Sequence, residues 1–270
     1  MKIGIFDSGY GGLTIFEQIR TRLPQYDYIY LGDNARTPYG NRSFDAILKF
    51  TAEGIDYLVG KDCKLMIIAC NTASAKALRS IQQKILPFKY PDRRVLGIIR
   101  PSVEEISRYS RSGTVALWAT EGTVNSMSFV IEMRKYAPGI RVVQQACPLL
   151  VPLVEAGELQ GAGVDYFISK YWQQTAGQSQ EIDALLLACT HYPLLLPRIR
   201  AVIPEPVQIV VQASIVAPSL TDYLQRHPEI ESRLSRNGTA EFLTTDRTDG
   251  FDHLAEIFLG HPVSSRKITL

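Results

Sequence analysis

Short apolar runs alternate with amphipathic segments along the whole chain. Two of the runs, residues 65–68 and 184–187, are apolar at every position, which is typical of strands buried between two layers of helices. Strands that alternate with helices predict an α/β protein with mainly parallel sheets. The predicted strands are residues 2–6, 26–31, 64–69, 94–98, 114–119, 140–146, 183–188, 207–211 and 241–244. The predicted helices include residues 12–22, 43–59, 73–85, 124–136, 163–174 and 214–225.

One sequence pattern occurs twice in the chain. Residues 64–72 read Lys-Leu-Met-Ile-Ile-Ala-Cys-Asn-Thr, and residues 184–190 read Ala-Leu-Leu-Leu-Ala-Cys-Thr. Each copy is a predicted strand that ends in Ala-Cys, and the two cysteines are Cys70 and Cys189. We interpret the repeat as two similar α/β domains related by pseudo-symmetry. Because open α/β sheets bind ligands beyond the carboxyl ends of their strands, we expect the active site in a cleft between the domains, with one cysteine on each side.

The charge and the chain start argue against some classes of protein. With 29 basic and 27 acidic side chains the formal charge is +2, so no bulk charge draws the protein to nucleic acid or to a membrane surface. No run approaches the roughly 18 apolar residues of a membrane-spanning helix. The first residues reach an acid and a glycine turn too early for a signal peptide, so we expect a cytoplasmic protein.

The chain has four cysteines, Cys63, Cys70, Cys147 and Cys189. A chain of this length without an export signal needs no disulfide framework, and no Cys-x-x-Cys pair or nearby His-x-x-x-His indicates a zinc site. We therefore expect reduced thiols and no metal. Cys63 and Cys147 lie outside the repeated pattern, so we assign Cys63 to core packing and Cys147 to packing near the site.

The positions of Cys70 and Cys189 favour acid–base chemistry. A free cysteine is usually an inert core residue, but each of these follows a predicted strand and precedes a predicted helix, where backbone N–H groups stabilise an anion. Ionising a free thiol at pH 7 costs about 2 kcal/mol, and a helix N-terminus supplies roughly 0.3–2 kcal/mol. These energies are comparable, so such a thiol can be poised for proton transfer.

Two glycine-containing loops could bind a substrate. Asp7 and Ser8 open the run Asp-Ser-Gly-Tyr-Gly-Gly after the first strand, where Asp7 could hold a substrate ammonium or orient a thiol. The run is neither a dinucleotide-binding fingerprint nor a P-loop, and helix capping by Asp7 or Ser8 explains it equally well. The loop at 32–40 could direct the backbone of Tyr39 and Gly40 into the cleft, although such turn residues are common in any loop.

Four further side chains leave alternatives open. His191, two residues after Cys189, could assist proton transfer or tune the Cys189 thiol, or it could make a polar contact at a helix start. Glu155 ends an apolar run and could enter the cleft or lie on a helix face. Arg36 and Arg100 could clamp a carboxylate, but surface positions are commoner for arginine.

Four motifs together resemble those of the glutamate racemases, in the cofactor-independent Asp/Glu racemase family. Each motif alone is weak, but their order and spacing over essentially the whole chain make the resemblance specific. The motifs are Asp7-Ser8-Gly9-x-Gly11-Gly12, Gly32-Asp33-x-Ala35-Arg36-x-Pro38-Tyr39-Gly40, Ala69-Cys70-Asn71-Thr72-Ala73 and Ala188-Cys189-Thr190-His191-Tyr192-Pro193.

The resemblance implies an enzyme that interconverts L- and D-glutamate without cofactor or metal and supplies D-glutamate for cell-wall peptidoglycan. Cys70 is the implied base for the α-proton of D-glutamate, and Cys189 for that of L-glutamate. Asp7, His191 and Glu155 are the implied assisting groups. The implied substrate contacts are Asp7, Ser8, Tyr39, Gly40, Asn71, Thr72, Thr190 and His191.

The resemblance also implies a domain organisation and an assembly. The chain crosses to a second α/β domain and returns to complete the first, which places residues 1–97 and 209–270 in one domain and residues 98–208 in the other. A homodimer is expected on the same ground. Some positions depart from the family pattern, and they bear on regulation and subunit contacts rather than on the bases. These are Arg100-Pro101, Gln212-Ala213 and Asn34, where the family commonly has an acid before the proline, an Asp-Ser pair and a threonine.

Three other functions fit parts of the pattern. Another cofactor-independent amino-acid racemase, such as one for aspartate, would use the same two cysteines. A thiol hydrolase that uses Cys189 and His191 would need one cysteine and would accumulate an acyl-enzyme. A non-catalytic protein that binds a small ligand in the cleft would exchange no α-proton.

Overall fold

The computed structural model describes residues 1–270 and contains ten β-strands in two sheets. Every pair of neighbouring strands is parallel, so the predicted α/β class is confirmed. The strands are β1 (Lys2–Asp7), β2 (Tyr28–Gly32), β3 (Cys63–Ile68), β4 (Arg94–Gly97), β5 (Thr114–Ala119), β6 (Arg141–Ala146), β7 (Ala184–Ala188), β8 (Gln208–Val211), β9 (Ala240–Thr244) and β10 (Ser265–Lys267).

The two sheets arrange their first four strands in the same way. The strand order is β10-β9-β2-β1-β3-β4 in the six-stranded sheet and β6-β5-β7-β8 in the four-stranded sheet. In each sheet the first strand lies between the second and the third, and the fourth pairs with the third. The predicted pseudo-symmetry is confirmed, because β3 and β7, which precede Cys70 and Cys189, occupy equivalent places.

The strand missing from the sequence prediction is β10. It has three residues, Ser265–Lys267, and pairs only with β9 at the edge of the six-stranded sheet. An edge strand that packs no apolar side chain into the core has no hydrophobic run by which to recognise it.

The helix predicted at 73–85 is interrupted. A first short helix ends at Lys76, a second covers Leu78–Ser80, and a π-helical turn occupies Ile81–Ile85. No helix combines the length and the apolar character needed to cross a membrane. The α-helices are α1 (Leu13–Arg22), α2 (Phe44–Gly60), α3 (Asn71–Lys76), α4 (Leu78–Ser80), α5 (Leu86–Lys89), α6 (Ile99–Glu105), α7 (Glu121–Asn125), α8 (Ser128–Tyr136), α9 (Leu150–Glu155), α10 (Ala162–Ala176), α11 (Leu196–Val202), α12 (Ala213–Arg226), α13 (Pro228–Glu231) and α14 (Thr248–Leu259).

Strand β3 shows why the sequence reads as uninterrupted apolar runs. Leu65 and Ile67 belong to a cluster of 42 buried residues, whereas Met66 and Ile68 belong to another of 17. Successive side chains of a strand point to opposite faces, so both faces of the sheet are buried. The larger cluster also contains Leu185 of β7, so the two halves share a core where they meet.

The chain crosses between the sheets twice. It leaves the six-stranded sheet after β4 at Gly97 and enters α6, and it leaves the four-stranded sheet after β8 at Val211 and enters α12. The expected domain boundary between residues 208 and 209 falls inside β8, which pairs with β7 of the second sheet. We therefore propose that the return crossing follows Val211, because a boundary inside a paired strand would divide a hydrogen-bonded ladder.

Candidate active site

The carboxyl ends of β1, β3 and β7 lie around one cavity of about 270 Å³ that residues of both halves line. Asp7 is the last residue of β1, Cys70 follows β3 by two residues, and Cys189 directly follows β7. The strand ends thus bring together residues that are far apart in the sequence. The predicted site residues that line the cavity are Ser8, Tyr39, Gly40, Cys70, Asn71, Thr72, Cys189, Thr190 and His191.

Cys70 is buried among neutral hydrogen-bond donors. Its Sγ accepts hydrogen bonds from the Ser8 hydroxyl and from the backbone N–H of Ala73, each at 3.4 Å. The sulfur thereby caps the N-terminus of α3, as the sequence predicted. Burial, followed by the nearby Asp7 carboxylate, raises the pKa of the Cys70 thiol to about 12. Cys70 is therefore protonated at neutral pH.

Asp7 is buried close to Cys70 but does not line the cavity. Its Oδ2 accepts the backbone N–H of Gly9 at 2.9 Å, while its Oδ1 has no hydrogen-bond partner in the protein. Burial raises the pKa of Asp7, and the charge of His191 opposes that increase. Asp7 therefore influences both halves of the site through charge.

His191 connects Cys189 to Glu155. Its Nδ1 lies 4.0 Å from Cys189 Sγ, and its Nε2 lies 3.1 Å from Glu155 Oε1. Burial lowers the pKa of His191, but the hydrogen bonds with Cys189 and Glu155 outweigh burial and raise this pKa to about 10. At neutral pH the imidazole is therefore protonated, which places a positive charge beside the Cys189 sulfur. Glu155 itself lies outside the cavity wall.

A helix follows each of the two cysteines, as predicted, but only Cys70 caps its helix. Cys189 is followed by a turn and a 3₁₀-helix, Tyr192–Leu195, whose N-cap is His191. No backbone N–H donates to the Cys189 sulfur, and Pro193 has none to offer. The predicted helix is therefore present, but its backbone N–H groups do not stabilise the Cys189 sulfur, and the charged group beside that sulfur is the His191 side chain.

Tyr39 and Gly40 border the cavity from the loop after β2. The Tyr39 hydroxyl donates to Asp33 Oδ2 at 2.5 Å, and Arg36 Nε donates to the same oxygen at 2.7 Å. The Tyr39 hydroxyl is thus engaged with Asp33, so hydrogen bonds from Tyr39 to a ligand of the cavity would come from its backbone. Arg36 is thus engaged with the loop and is not a clamp in the cavity wall.

Gly11 allows the two halves to touch. A Cβ atom at this position would lie 2.3 Å from Thr190 Oγ1 and 2.4 Å from His191 Nδ1, so only glycine permits the approach. Thr14 of α1 also reaches across, and its hydroxyl donates to the Thr190 carbonyl at 3.1 Å. The turn after β1 therefore holds the first half directly against the residues that follow Cys189.

The site thus combines two sulfur atoms, one from each half, in the wall of a single cavity. One sulfur is a buried thiol, and the other lies beside an imidazolium. Such a pair can remove a proton from a carbon atom and return one from another direction. No group of three or more His, Cys, Asp or Glu side chains is arranged to hold a metal ion.

The profile of the Asp/Glu/Hydantoin racemase family matches residues 13–217, which include both cysteines. The chain belongs to this family. It is 36% identical to a glutamate racemase of Aquifex aeolicus, over 98% of this chain and 97% of that protein. As a member of the family the protein is an enzyme, and its reaction class is that of the isomerases.

Solved structures of racemases share the whole fold. A glutamate racemase isoform from Bacillus anthracis superposes with a TM-score of 0.90 at 31% identity, covering 100% of this chain and 97% of that chain. The glutamate racemase of Francisella tularensis in complex with D-glutamate has a TM-score of 0.86 at 31% identity, covering 99% and 97% of the two chains. Both sheets therefore belong to the shared racemase architecture.

Sequence reasoning missed part of the racemase cavity wall. Thr120 lines the cavity, and its hydroxyl lies 2.9 Å from that of Thr72 across the two halves. Thr120 directly follows β5, and β5 corresponds to β1 in the other sheet. Thr120 is therefore equivalent to Ser8, and this equivalence could have identified it as a site residue. The other lining residues that were not predicted are Thr37, Pro38, Asn41, Glu121, Pro148, Val151 and Pro152.

Three residues considered in the sequence analysis lie outside the racemase cavity: two cysteines predicted to pack in the core and one arginine that could have bound a carboxylate. Cys63 and Cys147 are buried in hydrophobic clusters, so their assignment to packing is confirmed. Arg100 is exposed on α6, where it forms an ion pair with Glu104 at 2.8 Å. It therefore does not act as a carboxylate clamp in this site.

Proposed function

We propose that this racemase interconverts L-glutamate and D-glutamate by proton transfer at Cα between two cysteines. The observation that carries the proposal is that Cys70 and Cys189, which follow equivalent strands, line one cavity. Curated relatives at 36–38% identity are glutamate racemases, which supports glutamate as the substrate. The D-glutamate complex of the Francisella tularensis relative supports it further.

In the proposed reaction one sulfur acts as the base while the other acts as the acid. The Cys189 thiolate removes the α-proton of L-glutamate, and the Cys70 thiol donates its proton to the opposite face of Cα. Cys189 is then a thiol and Cys70 a thiolate, and D-glutamate reacts by the reverse steps. Two thiolates in one cavity would repel each other, so the pair shares one proton and titrates as a unit.

The neighbours of each sulfur match these starting states. The His191 imidazolium, held by Glu155, favours a thiolate at Cys189, whereas burial keeps Cys70 protonated. Loss of the α-proton moves negative charge onto the α-carboxylate, which preorganised N–H and O–H donors stabilise. Side chains of the cavity wall that carry such donors are Asn71, Thr72 and Thr190, whereas the Ser8 hydroxyl donates to Cys70 Sγ.

The proposal extends to the cellular role. The resemblance to glutamate racemases supports a supply of D-glutamate for peptidoglycan, in the cytoplasm, by a homodimer. Sedimentation equilibrium of the purified protein tests the last point. A mass near twice 30.2 kDa is expected, and a single species at 30.2 kDa would contradict the dimer.

Incubation of L-glutamate with the purified protein in D2O, without added cofactor, tests the reaction. We expect polarimetry to show loss of optical rotation. Proton NMR should show loss of the α-proton signal, because the sulfur that reprotonates Cα carries solvent deuterium. Unchanged rotation after prolonged incubation would contradict racemisation of glutamate.

The same assay separates the alternative functions. L-Aspartate is offered under identical conditions, and faster loss of its rotation would identify an aspartate racemase instead. A protein that only binds glutamate would leave both the rotation and the α-proton unchanged. A thiol hydrolase would also leave both unchanged; offered an ester substrate, it would release the alcohol and form an acyl-enzyme that mass spectrometry detects.

A further inference from the structure

Gln212 is a buried polar side chain that the proposed proton transfer does not use. It lies between β8 and α12, at the second crossing of the chain, and is only 2% exposed. Its amide contacts Asn71, which lines the cavity beside Cys70, and Ser102, which lies on α6 just after the first crossing. One side chain thus connects the cavity wall to both crossings.

The hydrogen bonds around Gln212 determine which way its amide faces. The Ser102 hydroxyl donates to the Ile98 carbonyl at 2.7 Å, so Ser102 Oγ accepts in its contact with Gln212 Nε2 at 3.0 Å. An amide is otherwise almost symmetric in shape, and a neighbour that can only accept identifies its nitrogen. Gln212 therefore directs Nε2 towards Ser102 and leaves Oε1 for a different donor.

Asn71 forms a two-way amide pair with Gln212. Asn71 Nδ2 donates to Gln212 Oε1 at 2.6 Å, and Asn71 Oδ1 accepts from Gln212 Nε2 at 3.1 Å. One of the two hydrogens on Asn71 Nδ2 is used in this pair, and the other has no acceptor in the protein. Asn71 therefore has its oxygen engaged and keeps one N–H for a ligand of the cavity.

We propose that Gln212 is a positioning residue for substrate binding, an inference that rests on the proposed function. Gln212 holds the Asn71 amide so that an N–H, and not the oxygen, is available to a carboxylate of glutamate. If the Asn71 amide were reversed, its oxygen would face the substrate carboxylate, and two acceptors without a hydrogen between them repel each other. The amide pair is neutral, so it orients Asn71 without adding charge beside the sulfurs.

Gln212→Glu tests the proposal because it preserves the shape of the side chain and removes both of its N–H groups. The introduced carboxylate accepts from Asn71 Nδ2 equally well through either oxygen, so it no longer distinguishes the two orientations of the Asn71 amide. We expect KM for both enantiomers of glutamate to rise about 3- to 10-fold, because only part of the Asn71 amides then present an N–H to the substrate, while kcat changes less than about twofold. The reason is that the carboxylate contact is made in the bound substrate and in the transition state alike.

A matched control is Gln145→Glu. Like Gln212, Gln145 pairs with another side-chain amide: its Nε2 donates to Gln174 Oε1 at 3.1 Å. Gln145 lies outside the cavity wall. The same change of amide to acid should leave KM and kcat at their original values there. Thermal unfolding of each variant shows whether it is folded.

Ser102→Ala provides a second test that does not depend on tolerance of a buried acid. It keeps the amide pair and removes the nearer acceptor that orients Gln212 Nε2, Ser102 Oγ at 3.0 Å, but leaves the Ile98 carbonyl at 3.5 Å. KM should therefore rise about two- to fivefold. Wild-type protein without turnover would overturn the proposed function and this proposal with it. Wild-type turnover with unchanged KM in folded Gln212→Glu and Ser102→Ala would overturn the positioning role alone. A lower kcat and melting temperature at constant KM would do the same.

Discussion

Cys70 and Cys189 follow equivalent strands of two similar sheets, yet their surroundings differ in kind. The Cys70 sulfur accepts hydrogen bonds from two neutral donors, and burial raises the pKa of its thiol to about 12. The Cys189 sulfur lies 4.0 Å from the ring of His191, and the hydrogen bonds of that ring with Cys189 and with Glu155 raise the pKa of His191. The repeated strand arrangement thus determines where the sulfurs lie, while their neighbours differ: two neutral donors at Cys70 and an imidazole ring at Cys189.

The difference between the surroundings of Cys70 and Cys189 has a kinetic consequence for a racemase. L- and D-glutamate have equal free energies in solution, so kcat/KM must be the same in the two directions. The different neighbours of the two sulfurs can therefore make kcat differ between the L-to-D and D-to-L directions. KM must then differ by the same factor, so that kcat/KM stays equal. The contrast between the sulfurs is best examined through variants that alter one side of the cavity at a time.

The largest expected effect comes from removing either sulfur. Cys70→Ala and Cys189→Ala should each reduce racemisation about 10²- to 10⁴-fold, because each removes one of the two groups that transfer a proton in the proposed mechanism. The polarimetric assay measures both variants. Cys63→Ala is the control, since Cys63 is a buried cysteine outside the cavity, and its kcat should be unchanged. Near-native turnover after either cavity substitution would refute the two-base mechanism.

A smaller loss is expected from Gly11→Ala, which tests whether the two sides must touch. The new methyl group would overlap Thr190 and His191, so the residues that follow Cys189 must move away from the first half. A displacement of about 1 Å can lower activity about 100-fold. Gly139→Ala is the matched control, because no heavy atom lies within 4 Å of a Cβ placed there. Equal kcat/KM in both variants would show that the contact at Gly11 is dispensable.

The smallest expected effect is a loss of stability in Glu155→Gln, which removes the carboxylate partner of the protonated His191 beside Cys189. The folded-state pKa of His191 is about 10, against an ordinary value of 6.5. Protonation therefore stabilises the fold fully below pH 6.5, and this contribution is lost as pH rises to 10. Glu155→Gln removes the carboxylate partner, so at pH 7 the variant should be less stable than wild type by about 1–2 kcal/mol.

Urea unfolding between pH 6 and pH 10 measures that difference. The gap between wild type and Glu155→Gln should narrow as pH rises, because His191 loses its proton in both proteins. Glu229→Gln is the control, since Glu229 pairs with the exposed imidazole of His227 at 2.9 Å. An exposed pair contributes little, so this variant should match wild type at every pH. A pH-independent gap for Glu155→Gln would argue against a charged His191.

Local sequence patterns sufficed for most strands and for both cysteines. A strand buried on both faces, such as β3, must be apolar at nearly every position, so its sequence is enough to recognise it. The loop and turn motifs around Ser8 and Tyr39 were equally visible and do line the cavity. Thr120 was not predicted as a site residue, because its equivalence to Ser8 becomes visible only when the two sheets are compared.

The amino-acid sequence by itself determined the α/β class, the repeated strand that ends in Ala-Cys and the residues that could transfer protons. Only the tertiary structure decided that His191 meets Glu155, 36 residues away, and that Asn71 meets Gln212, 141 residues away. The physical reason is the distance along the sequence between the residues that interact. Burial of a strand is written in consecutive residues, whereas the charge of a thiol and the orientation of an amide depend on side chains that only folding brings within hydrogen-bond distance.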